Sequence, residues 1–364
     1  MHTHKTKRLL SLNLHGLGDF IISLPVLNEI ARSHLVESVT SLVWPALEEI
    51  ASCAPAIDRV LPLPRALENQ PELGDFIRAA SGPDGFDIVL DFSFLPRSAW
   101  IAETACAGRT IGFGIDLEKY GPSGYTDSIP NLDGELRIHR NLQVLETLGL
   151  PFSGGLDFSV NIPVPMAREV ESLLEAQGLD LRTCRPIALH PGSGVRSRNW
   201  APERFAGLAD RLAAHLDEPV LLLGGKERTY DGTNEKTLAG EVEQAMQHSA
   251  FNLAGQLSLP QIASLLSHCS LFVGNNSGPA HLAASVTNVP CLLIWAPRNE
   301  KLWRPVGAPV ELVTAEPDCS RRCSLNQCDH LQHCLDRITV DEAFERFIQG
   351  LAPALPLVSS GGRT

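Results

Sequence analysis

Three short segments of the 364-residue chain place glycine and small polar residues beside groups that can carry charge or a proton. In the first, an apolar run ends at His15, and Gly16, Gly18 and Asp19 follow directly. A carboxylate at such a turn can act as a general base, but it can equally cap the helix that follows. Ile21 stands where a dinucleotide-binding fingerprint would need its third glycine, which disfavours an NAD or FAD enzyme.

The second segment spans residues 189–200 and joins an apolar strand to a helix. It contains Ser193 and Gly194, and Arg198 stands two residues before Trp200. Backbone N–H groups, a hydroxyl and a guanidinium in one loop are suited to a phosphate or diphosphate. A plain solvated loop is the alternative interpretation.

The third segment is a strand end followed by Asn276, Ser277, Gly278, Pro279 and His281. Proline is favoured in the first turn of a helix, and a helix start of this kind suits an anion. His281 falls one turn inside the predicted helix, where a histidine is often structural. A second phosphate-binding loop and a structural histidine therefore both remain open.

Other catalytic signatures are missing from the sequence. It contains no Asp-x-Asp pair, no Gly-x-x-x-x-Gly-Lys-Ser/Thr loop and no Gly-x-Ser-x-Gly motif. These absences disfavour a divalent cation held by paired carboxylates, a P-loop nucleotidase and an α/β-hydrolase.

Charge and hydropathy restrict the partners. The net charge of −12 disfavours nucleic-acid binding and a broad polybasic grip on a membrane. No apolar run reaches the roughly 18 residues of a membrane span. The N-terminal apolar run is broken early by polar residues, so a signal peptide is not predicted. We expect a cytoplasmic protein with at most peripheral contact to a membrane.

Nine cysteines divide into five scattered ones in apolar segments and one cluster. The cluster consists of Cys319, Cys323, Cys328 and Cys334. Four thiols within 16 residues can hold a structural Zn²⁺ or iron, but their spacing is unlike the paired Cys-x₂-Cys pattern. Four reduced or opportunistically paired thiols in a surface loop are the alternative.

Strand-like runs alternate with helix-length segments throughout, which predicts an α/β fold with parallel sheets. Residues 150–165 are rich in proline and glycine and form the best linker candidate. We therefore predict an N-terminal domain at 1–155, a C-terminal domain at 156–340, and a final helix with a disordered tail at 341–364. The predicted strands are 9–14, 39–43, 60–63, 87–91, 187–190, 220–223, 271–273 and 291–295. The predicted helices are 20–33, 45–52, 71–80, 98–107, 138–148, 166–177, 202–215, 235–247, 259–268 and 280–285.

Taken together and in order, the three segments resemble glycosyltransferase family 9, the heptosyltransferases of lipopolysaccharide core assembly. The residues that carry the resemblance are Leu14-His15-Gly16-Leu17-Gly18-Asp19 with Leu24-Pro25; Leu189-His190-Pro191-Gly192-Ser193-Gly194 through Arg198-Asn199-Trp200; and Val273-Gly274-Asn275-Asn276-Ser277-Gly278-Pro279 with His281-Leu282-Ala283-Ala284. Weaker similarity surrounds Asp91 and Arg97-Ser98.

The resemblance implies a GT-B fold, in which two Rossmann-like lobes with parallel sheets face each other across a cleft. It implies that the first lobe binds the acceptor and that Asp19 is the general base. It also implies that Arg198, in place of the usual lysine, contacts the diphosphate. Asn276 replaces the usual aspartate, and a loose match places Glu227 near the nucleoside.

These implications predict an inverting, metal-independent glycosyltransferase that needs no cofactor for catalysis. The family's donor is ADP-heptose, and the acceptor would be a lipopolysaccharide core, another glycan or glycolipid, or a protein. Two alternatives remain: a sugar-nucleotide 2-epimerase of the same fold, and a non-catalytic protein that binds a nucleotide sugar.

Overall fold

The computed structural model describes residues 7–68, 70–93, 95–114, 124–130, 135–152, 154–194, 198–226, 232, 234–296, 300–315 and 334–355. Within these residues the chain divides into two compact units, Met1–Asn161 and Ile162–Thr364. No helix in the described ranges has the length and apolar character needed to cross a membrane.

The first unit is built on a six-stranded parallel sheet with the strand order β3-β2-β1-β4-β5-β6. Its strands are β1 (Arg8–Asn13), β2 (Ser38–Val43), β3 (Arg59–Pro62), β4 (Phe86–Asp91), β5 (Cys106–Phe113) and β6 (Asp127–Ile129). Its helices are α1 (Leu17–Arg32), α2 (Glu48–Ser52), α3 (Leu73–Ser81), α4 (Pro96–Ala105) and α5 (Arg137–Leu148). Every residue of β1 after Arg8 is buried, as expected for a parallel strand covered by helices on both faces.

The second unit repeats this plan with the order β12-β11-β10-β7-β8-β9, again fully parallel. Its strands are β7 (Ile187–His190), β8 (Val220–Leu222), β9 (Ala250–Asn252), β10 (Leu271–Asn275), β11 (Cys291–Trp295) and β12 (Val310–Thr314). Its helices are α6 (Val164–Ala176), α7 (Pro202–Leu216), α8 (Glu235–Ala245), α9 (Leu259–Leu266), α10 (Gly278–His281), α11 (Glu300–Trp303) and α12 (Val340–Gly350). Numbered from its own first strand, this sheet has the order 3-2-1-4-5-6, which is also the order of the first sheet.

Local signals begin and end several of these helices. Asn234 caps α8 by accepting hydrogen bonds from the backbone N–H groups of Lys236 and Thr237. Thr339 and Glu342 form a capping box at the start of α12. Gly149 follows α5 with a φ of +72°, a backbone conformation that favours glycine at a helix C-terminus.

The predicted α/β class with two Rossmann-like units is confirmed, while several predicted elements differ from the structure. Strands β5, β6, β9 and β12 were not predicted. The helix expected at 98–107 ends at Ala105, where β5 begins. The helix expected at 280–285 is a single α-turn, α10, followed by a π-helical segment at Leu282–Val286.

Candidate active site

In both sheets the strand order reverses between the first and fourth strands, which are β1 and β4 in one unit and β7 and β10 in the other. Open α/β sheets bind ligands beyond the carboxyl ends of their strands at this reversal. All three candidate segments follow one of these strands, so the fold places each of them at the expected position.

The end of β1 is fixed by side chains from the neighbouring strand ends. The Leu14 N–H donates to Ser93 Oγ at 2.7 Å, and Trp44 Nε1 donates to the Leu14 carbonyl at 2.8 Å. Ser93 Oγ in turn donates to the Leu12 carbonyl at 3.1 Å. The backbone that leads into His15 is therefore held from both sides.

Asp91, at the end of β4, holds Ser93 in this arrangement. It is buried and accepts hydrogen bonds from the Ser93 N–H at 2.7 Å and from the Tyr125 hydroxyl at 2.5 Å. Burial raises the pKa of the Asp91 carboxyl, and hydrogen bonds from Ser98, Tyr125 and Ser93 oppose that rise. The weak sequence similarity around Asp91 and Ser98 thus corresponds to a polar network beneath the strand ends.

Asp19 is the third residue of α1 and is half-buried. Gly16, and not Asp19, occupies the N-cap position, and the Asp19 carboxylate accepts the backbone N–H groups of Gly16 and of Asp19 itself. Burial raises the pKa of this carboxyl, whereas His15, Arg137 and the two backbone bonds lower it, with burial outweighing them. A raised pKa makes a carboxylate a better proton acceptor, as a general base requires.

Gly16 and Gly18 lie at the same turn, Gly16 exposed and Gly18 half-buried. A Cβ atom built on Gly16 would have no other atom within 4 Å, so packing within this unit does not explain the glycine. The backbone on this side of Asp19 is open to a ligand.

In the second unit Asn275 joins two candidate segments. Its Nδ2 donates to the Pro191 carbonyl at 2.6 Å, and its Oδ1 accepts the Trp200 N–H at 3.2 Å. Trp200 is itself buried and donates through Nε1 to the Ile338 carbonyl at 3.1 Å. The structure therefore brings the loop after β7, with Ser193 and Gly194, together with the end of β10 and with half-buried Arg198.

Six buried side-chain atoms along this edge have no hydrogen-bond partner within the described residues. They are His190 Nδ1, Asn199 Nδ2 and Oδ1, Asn276 Nδ2, Ser277 Oγ and His281 Nδ1. Native proteins leave few buried polar atoms unpaired, because each one costs about 1–3 kcal/mol. Their concentration around β7 and β10 indicates a place where a polar ligand completes the bonds.

His281 is buried, and burial lowers its pKa to about 4. It is therefore neutral near pH 7 and offers one donor and one acceptor nitrogen. Pro279 and Gly278 begin the short helix that carries it, and Ser277 is the N-cap without a side-chain capping bond.

The sequence did not single out Glu235, the first residue of α8. Its Oε2 accepts the Gly225 N–H at 2.6 Å and lies 3.3 Å from His190 Nε2. Burial raises the pKa of this carboxyl, but His190 and the Gly225 N–H outweigh burial and lower it overall. The sequence shows Glu235 only as an acidic residue after the helix cap Asn234. The connection from β8 to α8 is long, so the sequence does not show that the Glu235 side chain lies at the sheet edge.

Two glycines at this edge have close neighbours. A Cβ on Gly192 would lie 2.5 Å from Glu235 Oε1, and one on Gly274 would lie 2.9 Å from the His190 carbonyl oxygen. Both glycines therefore let the first and fourth strands and the Glu235 side chain approach one another.

Some predicted residues lie outside the part of the chain that the structure describes. They are Glu227, Cys319, Cys323 and Cys328. Cys334 is described: it is half-buried, begins a short 3₁₀ turn and packs against the core of the second unit. No group of three or more potential metal ligands occurs among the described residues. A zinc or iron site remains a prediction.

Two doubly wound units with polar, partly unsatisfied sheet edges are the architecture of GT-B proteins, and comparison with known proteins identifies the family. The model of glycosyltransferase family 9 (heptosyltransferase) matches residues 80–330. The chain therefore belongs to this family and is a glycosyltransferase, which confirms the resemblance.

Individual relatives agree with this family assignment. Lipopolysaccharide heptosyltransferase 1 of Pseudomonas aeruginosa is 26% identical over 308 residues, covering 80% of this chain and 79% of that protein. A solved family 9 glycosyltransferase from Veillonella parvula has a TM-score of 0.79 at 21% identity, covering 94% and 96% of the two chains. The E. coli heptosyltransferase WaaC, solved with ADP, has a TM-score of 0.70 at 18% identity, covering 94% and 99%.

Proposed function

We propose that this chain transfers heptose from ADP-heptose to a hydroxyl of an acceptor, with inversion at the anomeric carbon and without a catalytic metal. The observation that carries the proposal is the set of buried polar atoms at β7 and β10 without partners in the described structure. The relatives named for heptosyl transfer, and the ADP in the WaaC structure, support the choice of donor.

The unpaired groups suit a diphosphate and a sugar. Asn276 Nδ2, Ser277 Oγ and Asn199 Nδ2 are hydrogen-bond donors, which phosphate oxygens accept. Arg198 would add a charge-assisted bond to the departing diphosphate. Asn276 carries no negative charge, so it does not repel the phosphates. These residues would stabilise the nucleoside diphosphate as its bond to the anomeric carbon breaks.

Asp19 would supply the base. The acceptor hydroxyl gives its proton to the Asp19 carboxylate while its oxygen forms a bond to the anomeric carbon on the face opposite the leaving group. The bond from that carbon to the diphosphate oxygen breaks, and both electrons leave with ADP. The carboxyl then returns its proton to solvent.

The acceptor is proposed as a lipopolysaccharide core at the cytoplasmic face of the inner membrane, since the named relatives are lipopolysaccharide heptosyltransferases. Another glycan, a glycolipid or a protein would use the same chemistry at its hydroxyl. The proposed domain functions follow: unit 1 binds the acceptor, and unit 2 binds the nucleotide sugar.

The donor is tested by thermal unfolding with ADP-, GDP-, UDP- and dTDP-linked sugars. A ligand that binds the folded state raises the apparent melting temperature, so ADP-heptose should give the largest increase. Transfer to an acceptor, or slow donor hydrolysis, supports the proposal. Epimerisation of a UDP-sugar would favour a 2-epimerase, and binding without turnover would favour a non-catalytic protein.

The metal question has a separate test. Turnover should persist in excess EDTA, because the proposed charge stabilisation comes from side chains. Loss of turnover that Mg²⁺ or Mn²⁺ restores would contradict the metal-free mechanism. Elemental analysis of protein purified without added metal or chelator tests the cysteine cluster, which should then carry zinc or iron. Removing that metal should lower stability and leave turnover unchanged, since the metal would be structural.

A further inference from the structure

Helix α5 is anchored beside α1, the helix that carries Asp19. Asn141 is buried, and its Nδ2 donates to the Ile22 carbonyl at 3.2 Å. Both helices follow strands of one parallel sheet, so they run in the same direction back across it. The bond between Asn141 and Ile22 therefore sets the register between the two helices.

This register brings Arg137 to the level of Asp19. Arg137 precedes Asn141 by four residues, which is about one helical turn, and Asp19 precedes Ile22 by three. Residues four apart share one face of a helix, and their side chains tilt towards its N-terminus. Arg137 thus lies on the face of α5 that contacts α1, beside the first turn that holds Asp19.

Other titratable and charged groups of the described residues lie near this turn or on α5. His15 lies four residues before Asp19 on the same connection and acts on it electrostatically together with Arg137. Elsewhere on α5, the Arg140 guanidinium stacks on the Phe113 ring at 4.6 Å, and His139 is exposed. Among the described residues, His15 and Arg137 are side chains whose charge lowers the pKa of the Asp19 carboxyl.

We propose that Arg137 is a positioning residue which, with His15, keeps Asp19 charged and oriented for proton transfer. The starts of α1 and α5 would act as a pair, in which α5 supplies the positive charge that the half-buried Asp19 carboxylate needs. Without it, burial would favour the protonated acid, which cannot accept a proton. The catalytic consequence rests on the proposed function of Asp19, whereas the electrostatic pairing does not.

The pairing is tested without any substrate. The pKa of Asp19 is measured from its ¹³Cγ chemical shift in aspartate-labelled protein, with the signal assigned by its loss in Asp19→Asn. Arg137→Gln should raise that pKa by about one pH unit or more, since a neighbouring arginine lowers an aspartate pKa by roughly one to three units. Arg137→Lys keeps the charge and should restore most of the wild-type value.

Arg32→Gln is the matched control. Arg32 is the last residue of α1, the helix that carries Asp19, and it pairs with Glu29 and Asp157 at the surface. It should leave the pKa of Asp19 unchanged. His15→Gln is the second variant, and it should also raise that pKa even if Arg137→Gln does not fold. A pKa unchanged in both Arg137→Gln and His15→Gln would overturn the proposal.

Kinetics separate this proposal from the proposed function. The acid limb of the kcat profile should move to higher pH in Arg137→Gln by the amount measured for the Asp19 pKa, and Arg137→Lys should reverse most of the movement. A raised pKa in a protein with no turnover on any donor would sustain the pairing and contradict the transferase. Normal turnover whose acid limb does not move would contradict the positioning role.

Discussion

The two units have the same strand order but organise the same sheet edge in different ways. In the first unit, hydrogen bonds among Leu14, Ser93, Asp91 and Tyr125 connect the ends of β1 and β4. Asp19 follows in the first turn of α1. In the second, Asn275 closes the backbone, but five neighbouring side chains leave six buried atoms without a partner among the described residues. At the end of β1, Asn13 Oδ1 is a buried atom of the same kind.

This difference matches two chemical tasks. A general base needs its charge and pKa controlled by fixed neighbours, and His15 and Arg137 both lower the pKa of the Asp19 carboxyl. A binding site for a polar ligand needs donors and acceptors that the ligand itself will satisfy. Under the proposed function, one topology would serve proton transfer in one unit and ligand recognition in the other, and substitutions should separate the two.

The largest effect is expected for Asp19→Asn, which removes the base but keeps the side-chain volume. Turnover should fall by about 10²–10⁴-fold, the usual contribution of a positioned base, while ADP affinity stays the same. Both are measured by donor-consumption kinetics and by calorimetry with ADP. The control is Asp75→Asn, an exposed partner of Arg78. Near-normal turnover in Asp19→Asn would show that the carboxylate only supports the helix start.

Arg198→Ala should act on the other unit. A lost charge-assisted hydrogen bond is worth about 1.5–3 kcal/mol, so ADP affinity should fall by roughly 10- to 150-fold. Arg182→Ala is the matched control, because Arg182 pairs with Asp180 at the surface of the same unit. Calorimetry decides: if the two variants bind ADP equally well, Arg198 is not at the phosphates.

His281 gives the second unit a pH dependence. Its folded pKa of about 4 lies below its usual value of 6.5, so the unfolded chain binds more protons between these values. Stability should therefore fall as the pH drops from 6.5 to 4, by about 3 kcal/mol in total from this residue. His281→Asn should lose that component, and His139→Asn, at an exposed position, should keep it. Urea unfolding at several pH values tests this, and parallel pH profiles for wild type and His281→Asn would contradict it.

Ser277→Ala should have the smallest effect and is the sharpest test of the unpaired atoms. Ser277 makes no capping bond, and its Oγ has no partner within the described residues, so alanine should leave the ligand-free protein as stable or slightly more stable. ADP-sugar affinity should nevertheless fall by about fivefold, the value of one neutral hydrogen bond. Ser264→Ala, on the same unit but in α9, should leave affinity unchanged. A stability loss with unchanged affinity would show that the hydroxyl is structural.

The sequence predicted those parts of the molecule whose signals are local. Strand 187–190 was placed correctly, because its apolar run is bounded by proline and by a glycine-rich loop. Strand β9 was missed because three residues are too few to show a period, and β5 because alanine-rich α4 runs directly into it. Strand β5 forms by pairing with β4, and the residues of β5 alone do not predict that pairing.

The same distinction applies to the site. The sequence singled out Asp19, Ser277 and His281 because each belongs to a contiguous motif. The sequence did not single out Glu235 or Arg137. Each lies at the start of a helix that is far along the chain from the residue it acts on, which is His190 for Glu235 and Asp19 for Arg137. Only the fold shows that Glu235 contacts His190 and that the charge of Arg137 acts on Asp19.

The hydrogen bond from Asn141 to Ile22 also has a consequence for synthesis, since it joins residues 119 positions apart. At about 5–20 residues per second, Asn141 is made roughly 6–24 s after Ile22. Throughout that interval α1 lacks the helix that covers one side of it, and Asp19 lacks Arg137. The segment around Asp19 is therefore synthesised long before the helix that packs against α1. The nascent chain exposes that apolar side of α1 until nearly the whole first unit has been made.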